Sequence, residues 1–509
     1  MSGIVKHFLR IYGKKHLLKV YERSIISKDE ATFFMIREGV NKRLIVVYPR
    51  SIRSFDVGFE ASEEGEFNYR GKSYRFMVCC CNHVNACVLR KKIPFTSPRP
   101  AGLKPSGGMG DRIGLATPGH IRAVSEKIFP VLAQQSVREL SRTSRTFNDV
   151  LDDVSWAVFQ EGYRFGFGAD ADHLKMIEDV DDAINAGYTM FTVDPSDYVD
   201  NNVEEYTVNE LKNKFQLLPW KDLNSEAEKF LGFYVGKKVN VGQYSLIIEE
   251  KNLVKMAVKY LTAIAFASKV FHHIRSRLKH RVFDFEVSID ETKTPTSPLE
   301  HVFIILELRR LGVNITSLSL RFEGKFEKAV DYIGDLAKFK ESFKKHVLIA
   351  EAFGPYKLSV HSGSDKFSVF PVMGRFGSSL LHLKTAGTSY LEALRIVARH
   401  EPNLFREIVK HACERFEIDR KAYDVSTNLS AVPKPDEVLD CRLETTYLDE
   451  NNARQMLHIT YGSILTAKKP SGEWVFRERL INCLLNYEEE YYETIAKHLT
   501  KHIKAVWSS

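Results

Sequence analysis

The stretch Phe283-Asp-Phe-Glu-Val-Ser-Ile-Asp290 decides the fold. Apolar side chains recur at every second position, which is the period of an extended strand. Phe283, Phe285, Val287 and Ile289 therefore share one face, and Asp284, Glu286, Ser288 and Asp290 share the other. A strand that hides four apolar residues on one side and aims carboxylates to the other suits a closed barrel, with helices outside and a polar interior. Seven further short apolar runs behave alike: Ile113–Thr117, Pro130–Gln135, Phe165–Asp172, Thr189–Asp194, Thr316–Phe322, Lys357–His361 and Leu380–Thr385. Helical periodicity separates them, most clearly over Glu250–Ser276 and Pro298–Leu311, the second with proline in its first turn. Strands alternating with helices imply a parallel sheet. Eight of them predict an α/β fold of the (β/α)8 TIM-like barrel type, with an open doubly wound sheet as the alternative.

Outside this core the texture changes. Residues 1–100 mix helical segments with strands such as Leu44–Tyr48 and Tyr74–Cys81, and end in a proline-rich stretch, so they read as an N-terminal α/β domain. The barrel is expected over 101–400, with an insertion at about 198–280, and a helical C-terminal extension over 401–509. The chain of 509 residues carries 44 % hydrophobic and 27 % charged residues, an ordinary globular balance that excludes disordered and fibrous classes. Its net charge of +8 is spread along the sequence, which indicates neither nucleic acid nor a membrane surface. No apolar run is long enough to span a bilayer, and the first residues lack the core of a signal peptide, so a cytoplasmic location is expected. Seven cysteines without a C-x-x-C pair read as reduced thiols.

Ionisable residues gather where the strands end. Asp170, Asp172 and His173 close one strand, His361, Asp365 and Lys366 follow another, and Arg321, His382 and Lys384 lie in two more. Active sites of eight-stranded barrels sit at the C-terminal ends of the strands. Imidazoles with carboxylates suit a divalent metal cation, with Zn, Mn, Co and Ni not distinguished. The glycine-rich Gly107-Gly-Met-Gly-Asp-Arg112 matches no nucleotide-binding fingerprint. A lone strand histidine is more often a hydrogen-bonded core residue than a ligand, and an inward carboxylate is usually paired, with Arg321 or Lys384 available to Glu286.

Several strings carry a likeness: Gly110-Asp-Arg-Ile-Gly-Leu-Ala-Thr-Pro-Gly-His120, Gly166-Phe-Gly-Ala-Asp-Ala-Asp-His173, Phe283-Asp-Phe-Glu-Val-Ser-Ile-Asp-Glu-Thr292, Val360-His-Ser-Gly-Ser-Asp-Lys-Phe-Ser368 and Leu383-Lys-Thr-Ala-Gly-Thr-Ser-Tyr390. They resemble the tagaturonate epimerase family, most strongly over about residues 100–465, whose members interconvert tagaturonate and fructuronate in hexuronate catabolism. The resemblance implies a divalent metal, Asp172 as proton acceptor, Glu286 as proton donor, and His173 and His361 as metal ligands. His382 is a further ligand candidate from its strand-end position alone. Asp290 and Glu291 compete with Glu286, because a one-residue slip exchanges the two faces of a strand. Arg112, Arg321, Lys366 and Lys384 are candidates to bind the substrate carboxylate.

The implied substrate is a small sugar acid. The inverted carbon lies β to the ketone, so enolisation cannot reach it, and a retro-aldol opening and re-closure is the expected route. A ketose 4-epimerase acting on fructose and tagatose, and a non-catalytic sugar-acid-binding barrel, are the alternatives. Oligomeric state is not readable from the sequence, and a lid over the barrel mouth is the expectation for the N-terminal domain.

Overall fold

The computed structural model describes residues 3–13, 18–53, 57–124, 126–242 and 244–507. Its first part is an antiparallel sheet of β1 (Leu18–Lys28), β2 (Ala31–Glu38), β3 (Asn41–Pro49), β4 (Glu63–Tyr69) and β5 (Lys72–Cys80), in the order β1-β2-β3-β5-β4. Both faces are apolar. Phe34, Ile36, Ile45 and Val47 pack beneath the helix Gly3–Tyr12, whereas Phe33, Met35, Leu44 and Val46 pack with Ala86 and Leu89 of the helix His83–Lys92. Trp156 and Phe159 join this second layer from the barrel helix Phe147–Gln160, fastening the sheet to the outside of the barrel.

The barrel strands are β6 (Ser106–Gly108), β7 (Phe129–Ser136), β8 (Gly168–Leu174) and β9 (Met190–Val193). A small hairpin, β10 (Lys238–Val241) and β11 (Tyr244–Ile247), precedes β12 (Asp284–Ile289), β13 (Ser317–Leu320), β14 (Lys357–Val360) and β15 (Leu381–Lys384). The eight close in the order β12-β13-β14-β15-β6-β7-β8-β9, every pair parallel. As the alternation in β12 predicts, Phe285 packs outward on Phe271 of the 29-residue helix Glu250–Leu278, and the carboxylates turn inward. At the bottom of the barrel Asp284 accepts the backbone N–H groups of Ala101 and Gly102 at 2.6 and 3.0 Å, so the segment leading into β6 closes that end.

One expected strand is wrong. Ile113–Thr117 is a turn, because the Asp111 carboxylate accepts the amides of Ile113, Gly114 and Ala116 and leads the chain into the helix Thr117–Ala123. The first barrel strand lies earlier, inside the glycine-rich stretch. Gly110 there is required by close packing, since a Cβ would stand 2.6 Å from the Ala386 Cβ.

The C-terminal part is helical, including Pro402–Asp419, Asn451–Ile459, Arg477–Asn486 and Glu488–Trp507. Glu488–Trp507 lies against Thr117–Ala123, where a Cβ on Gly119 would meet Ile495 at 2.6 Å. Among the described residues, no helix is long and apolar enough to cross a membrane.

Candidate active site at the barrel mouth

A cleft of about 1160 Å³ opens at the C-terminal ends of the strands. Asp172 and His173 of β8, Asp290 and Glu291 after β12, Arg321 after β13, His361 after β14 and Lys384 of β15 line it.

Lys384 is the hub of its floor. The buried ammonium lies 2.7 Å from Asp172 Oδ1, 2.9 Å from Asp170 Oδ2 and 3.0 Å from Glu286 Oε1, and donates to Thr192 Oγ1 at 2.8 Å. Three carboxylates reach it because each occupies an inward position two residues from the next on its strand, or faces it from β12. Burial alone would favour a neutral amine, but Asp170, Asp172 and Glu286 raise Lys384 well above the usual lysine range. The carboxylates diverge in return. Burial raises Asp170 to about 6, whereas at Asp172 burial is outweighed by His173 and Lys384, which hold it well below the usual range. Gln134 Nε2 donates to Asp172 Oδ2 at 2.8 Å and fixes its plane.

His173 is aimed into the cleft by a local irregularity. Simple alternation would send it outward, opposite to Asp172. The pairing of β8 with β9 shifts register between Ala171 and Leu174, and His173 has φ +55°, a left-handed conformation that costs a non-glycine residue of order 1 kcal/mol or more. Its ring then stands 4.8 Å, centroid to centroid, from that of His361. Burial disfavours the charged ring, but Asp172 beside it prevails and lifts His173 to about 9.

His361 is held from below. Its Nε2 lies 2.7 Å from Glu286 Oε1, whose other oxygen accepts from Ser317 Oγ at 2.6 Å. Its Nδ1 faces Asp290 Oδ2 at 3.5 Å and is buried without a hydrogen-bond partner, whereas His173 Nδ1 lies 2.9 Å from Asp172 Oδ1. His173, Asp290 and His361 each offer a ligand atom within 4.8 Å of the others. Two imidazoles and a carboxylate with ligand atoms this close are a donor set that fits a divalent cation.

The remaining expected site residues separate. Glu286 has no exposed surface and lines no part of the cleft; it lies beneath His361 and beside Lys384, through which it reaches the cleft. His382 fails as a ligand of the same ion. It points inward two residues before Lys384, about one layer deeper in the barrel, its Nδ1 pairs with Ser106 Oγ at 2.9 Å, and burial lowers it to about 3. Lys366 fails as a substrate cation. Its ammonium is enclosed by the carbonyls of Glu327, Val330 and Ser364, and burial lowers it to about 7. Arg112 lines the cleft wall but is spent on Glu139 and the His458 carbonyl, over the Tyr461 ring. Arg321, by contrast, lines the cleft with no hydrogen-bond or ion-pair partner for its guanidinium among the described residues.

Two features escape sequence reading. No described residue of the first hundred lines the cleft; Lys421–Asp424 of the C-terminal part do, so the lid expected of the N-terminal domain is not there. Nothing in that short polar segment signals its position. Lys328 also lines the cleft, its ammonium donating to Ser362 Oγ at 2.6 Å.

Known proteins resemble this chain over nearly its whole length. The family model for UxaE, tagaturonate epimerase, matches residues 21–506. A tagaturonate/fructuronate epimerase from Thermotoga maritima is 45 % identical over 503 residues, covering 98 % of this chain and 99 % of that one. Crystal structures of the fructuronate-tagaturonate epimerase UxaE from Cohnella laeviribosi, native and with one glycerol, superpose with TM-scores of 0.89. Their identities are 38 % and 37 %, and 99 % of each chain is covered.

Proposed function

Because this chain belongs to the tagaturonate epimerase family, we propose that it is an isomerase that interconverts D-tagaturonate and D-fructuronate in a metal-dependent reaction. The observation that carries this reading is the convergence of His173, Asp290 and His361 above the Asp172–Lys384 pair at the barrel mouth.

The two sugars differ at a hydroxyl-bearing carbon β to the ketone, whose hydrogen is not acidified by the carbonyl. Inversion there proceeds by breaking and re-forming the adjacent carbon–carbon bond. His173, His361 and Asp290 would hold a divalent cation, which would supply Lewis-acid stabilisation of the negative charge that this cleavage develops on the ketone side. Asp172, ionised and fixed by Gln134 and Lys384, accepts the proton of the β-hydroxyl. The bond opens to an enediolate and an aldehyde; the aldehyde turns, and the bond re-forms on its other face. The new alkoxide is protonated from the end of β12, where Glu291 lines the cleft. Glu286 acts one step back, holding the His361 ring by its Nε2 so that Nδ1 faces the mouth.

Arg321 is assigned to the substrate carboxylate, for which a guanidinium offers two parallel donors. This favours the uronate over the neutral ketose. The test is an epimerase assay on tagaturonate with chelator, then with a panel of divalent ions. The expected result is loss of turnover with chelator and recovery with at least one ion. Turnover untouched by exhaustive chelation refutes the metal. Solvent deuterium appearing on the inverted carbon refutes the carbon–carbon cleavage.

A further inference from the structure

A second histidine–carboxylate cluster lies outside the cleft. Asp365 follows His361 in the loop after β14, but turns away from the mouth toward the C-terminal helix Glu488–Trp507. There it meets His498 and His502, one helical turn apart, whose ring centroids are 4.6 Å from each other. Asp365 Oδ1 stands 3.3 Å from His502 Nε2 and 3.8 Å from His498 Nε2. Around a tetrahedral ion with bonds of about 2.0–2.1 Å, ligand atoms are about 3.4 Å apart, which the first spacing matches and the second exceeds by a few tenths of an ångström.

The outer atoms of the three ligands are already engaged. Asp365 Oδ2 accepts from Arg454 at 2.6 Å. His502 Nδ1 donates to the His498 carbonyl at 3.0 Å, which leaves its Nε2 as a lone pair. His498 Nδ1 lies 3.5 Å from Glu392 Oε1, and His498 Nε2 is buried with no hydrogen-bond partner. Such outer partners orient the ligands of metal sites and set which nitrogen is free. In the ion-free arrangement His502 Nε2 takes the Asp365 N–H at 2.9 Å, a bond that an ion replaces. A cleft of about 670 Å³, lined by Asp365, Glu392, Arg454 and His498, gives access from solvent.

We propose that Asp365, His498 and His502 form a second divalent-cation site, of the Zn2+ or Co2+ class, separate from the barrel mouth. Its ion ties the C-terminal helix to the loop that begins at His361, so it stabilises the fold around the active site without touching substrate. Two imidazoles and one carboxylate leave a fourth position for water on the side of the cleft.

The test measures ions bound by the chelator-stripped full-length protein after equilibrium dialysis against Co2+, with the visible absorption of bound Co2+ and the thermal midpoint as parallel readouts. The His173→Gln/His361→Gln variant removes the ligands at the mouth. It is expected to bind one Co2+ per chain and to unfold at a higher temperature with Co2+ than without. Adding His498→Gln to it is expected to abolish both effects. If the triple variant does not fold, Glu392→Gln in its place is expected to weaken the Co2+ affinity by about 10- to 100-fold. The proposal is overturned if the double variant binds no Co2+, or if neither His498→Gln nor Glu392→Gln changes the ion it binds. The parent separates this result from the reading of the mouth: two ions support both sites. One ion in the parent and one in the double variant support only the site at Asp365, and one in the parent with none in the double variant only the mouth.

Discussion

Replacing Glu286 by Gln separates two roles that the sequence leaves merged. Glutamine is isosteric, and its amide oxygen can still accept from His361 Nε2, now as a neutral acceptor in place of the carboxylate at 2.7 Å. Lys384 keeps Asp170 and Asp172 as partners at 2.9 and 2.7 Å, so the hub survives. What is lost is one charge-assisted bond to a ring and one charge near the ammonium, about 1.5–3 kcal/mol of interaction in the usual range. If Glu286 only positions His361, this loss appears as a 10- to 100-fold weaker metal affinity, the usual cost of losing an outer partner of a ligand. Saturating metal then restores turnover to within a few-fold of the parent. If Glu286 is instead the acid at the substrate, turnover falls by about 10²–10⁴-fold at every metal concentration. The assay is turnover as a function of Co2+ or Mn2+ concentration, with direct ion binding measured on the same samples. Unchanged ion affinity together with a hundredfold loss at saturation would falsify the positioning role and return the proton-donor role to Glu286.

Other perturbations test the remaining parts. Asp172→Asn removes the proton acceptor while keeping its shape, and is expected to lower turnover by at least about 10²-fold with substrate binding retained, as judged by inhibition with product in a mixed assay with the parent. Arg321→Gln is expected to raise KM for the uronate by roughly tenfold or more, the loss of one charge-assisted pair, while any turnover of the neutral ketose changes far less; equal effects on both sugars would move the carboxylate to another cation such as Lys328. Glu488→Gln tests the clamp between the sheet domain and the C-terminal helix. Burial opposes ionisation there, but Lys42, Tyr21 and Lys19 hold Glu488 down to about 2 from 4.5. That difference corresponds to about 3 kcal/mol at roughly 1.4 kcal/mol per pKa unit, an upper figure because Lys42 is itself lowered by burial. The folded-state value is the lower one, so this stability is fully present above about pH 4.5 and lost as pH falls through about 2. The variant is therefore expected to be less stable than the parent at neutral pH in denaturant unfolding, with the gap closing toward pH 2.

The barrel was legible because its strands obey simple periods. In β12 the alternation of Phe285 and Val287 with Asp284 and Glu286 is visible without any coordinates, and so is its consequence, an acidic interior. Depth and local bends were not legible. His382 and Lys384 share a face of one strand, yet only the second reaches the mouth; sequence spacing fixes the face, while the position of the layer depends on how eight strands stagger on closure. His173 points into the cleft against the alternation because of a register shift and a positive φ, both set by tertiary packing. Asp365 and Lys366, four and five residues past His361, turn away from the mouth because the loop pairs with the helices Asn451–Ile459 and Glu488–Trp507, contacts more than eighty residues distant in sequence.

The charge distribution of the interior joins these observations to the chemistry. Asp170, Asp172, Glu286 and Asp290 converge within a few side chains of one another, and Lys384 is the one lysine that meets three of them. Isolated buried carboxylates are strongly unfavourable, and positive charge beyond Lys384 comes from Lys357 deeper in the barrel and from His173, which Asp172 lifts to about 9. The ammonium sits low, among Asp170, Asp172 and Glu286, and leaves Asp290 to the two imidazoles and the Ser288 hydroxyl, which donates to its Oδ1. On the proposed reading, a divalent cation at His173, Asp290 and His361 would add to this balance beside Asp290, which has no lysine or arginine in contact with it among the described residues. Lys384 keeps Asp172 ionised from below, and a bound ion would provide a second positive charge above it. With three anions already in contact, Lys384 has little attraction left for a fourth, which is why the proposed reading gives the substrate carboxylate to Arg321 on the wall.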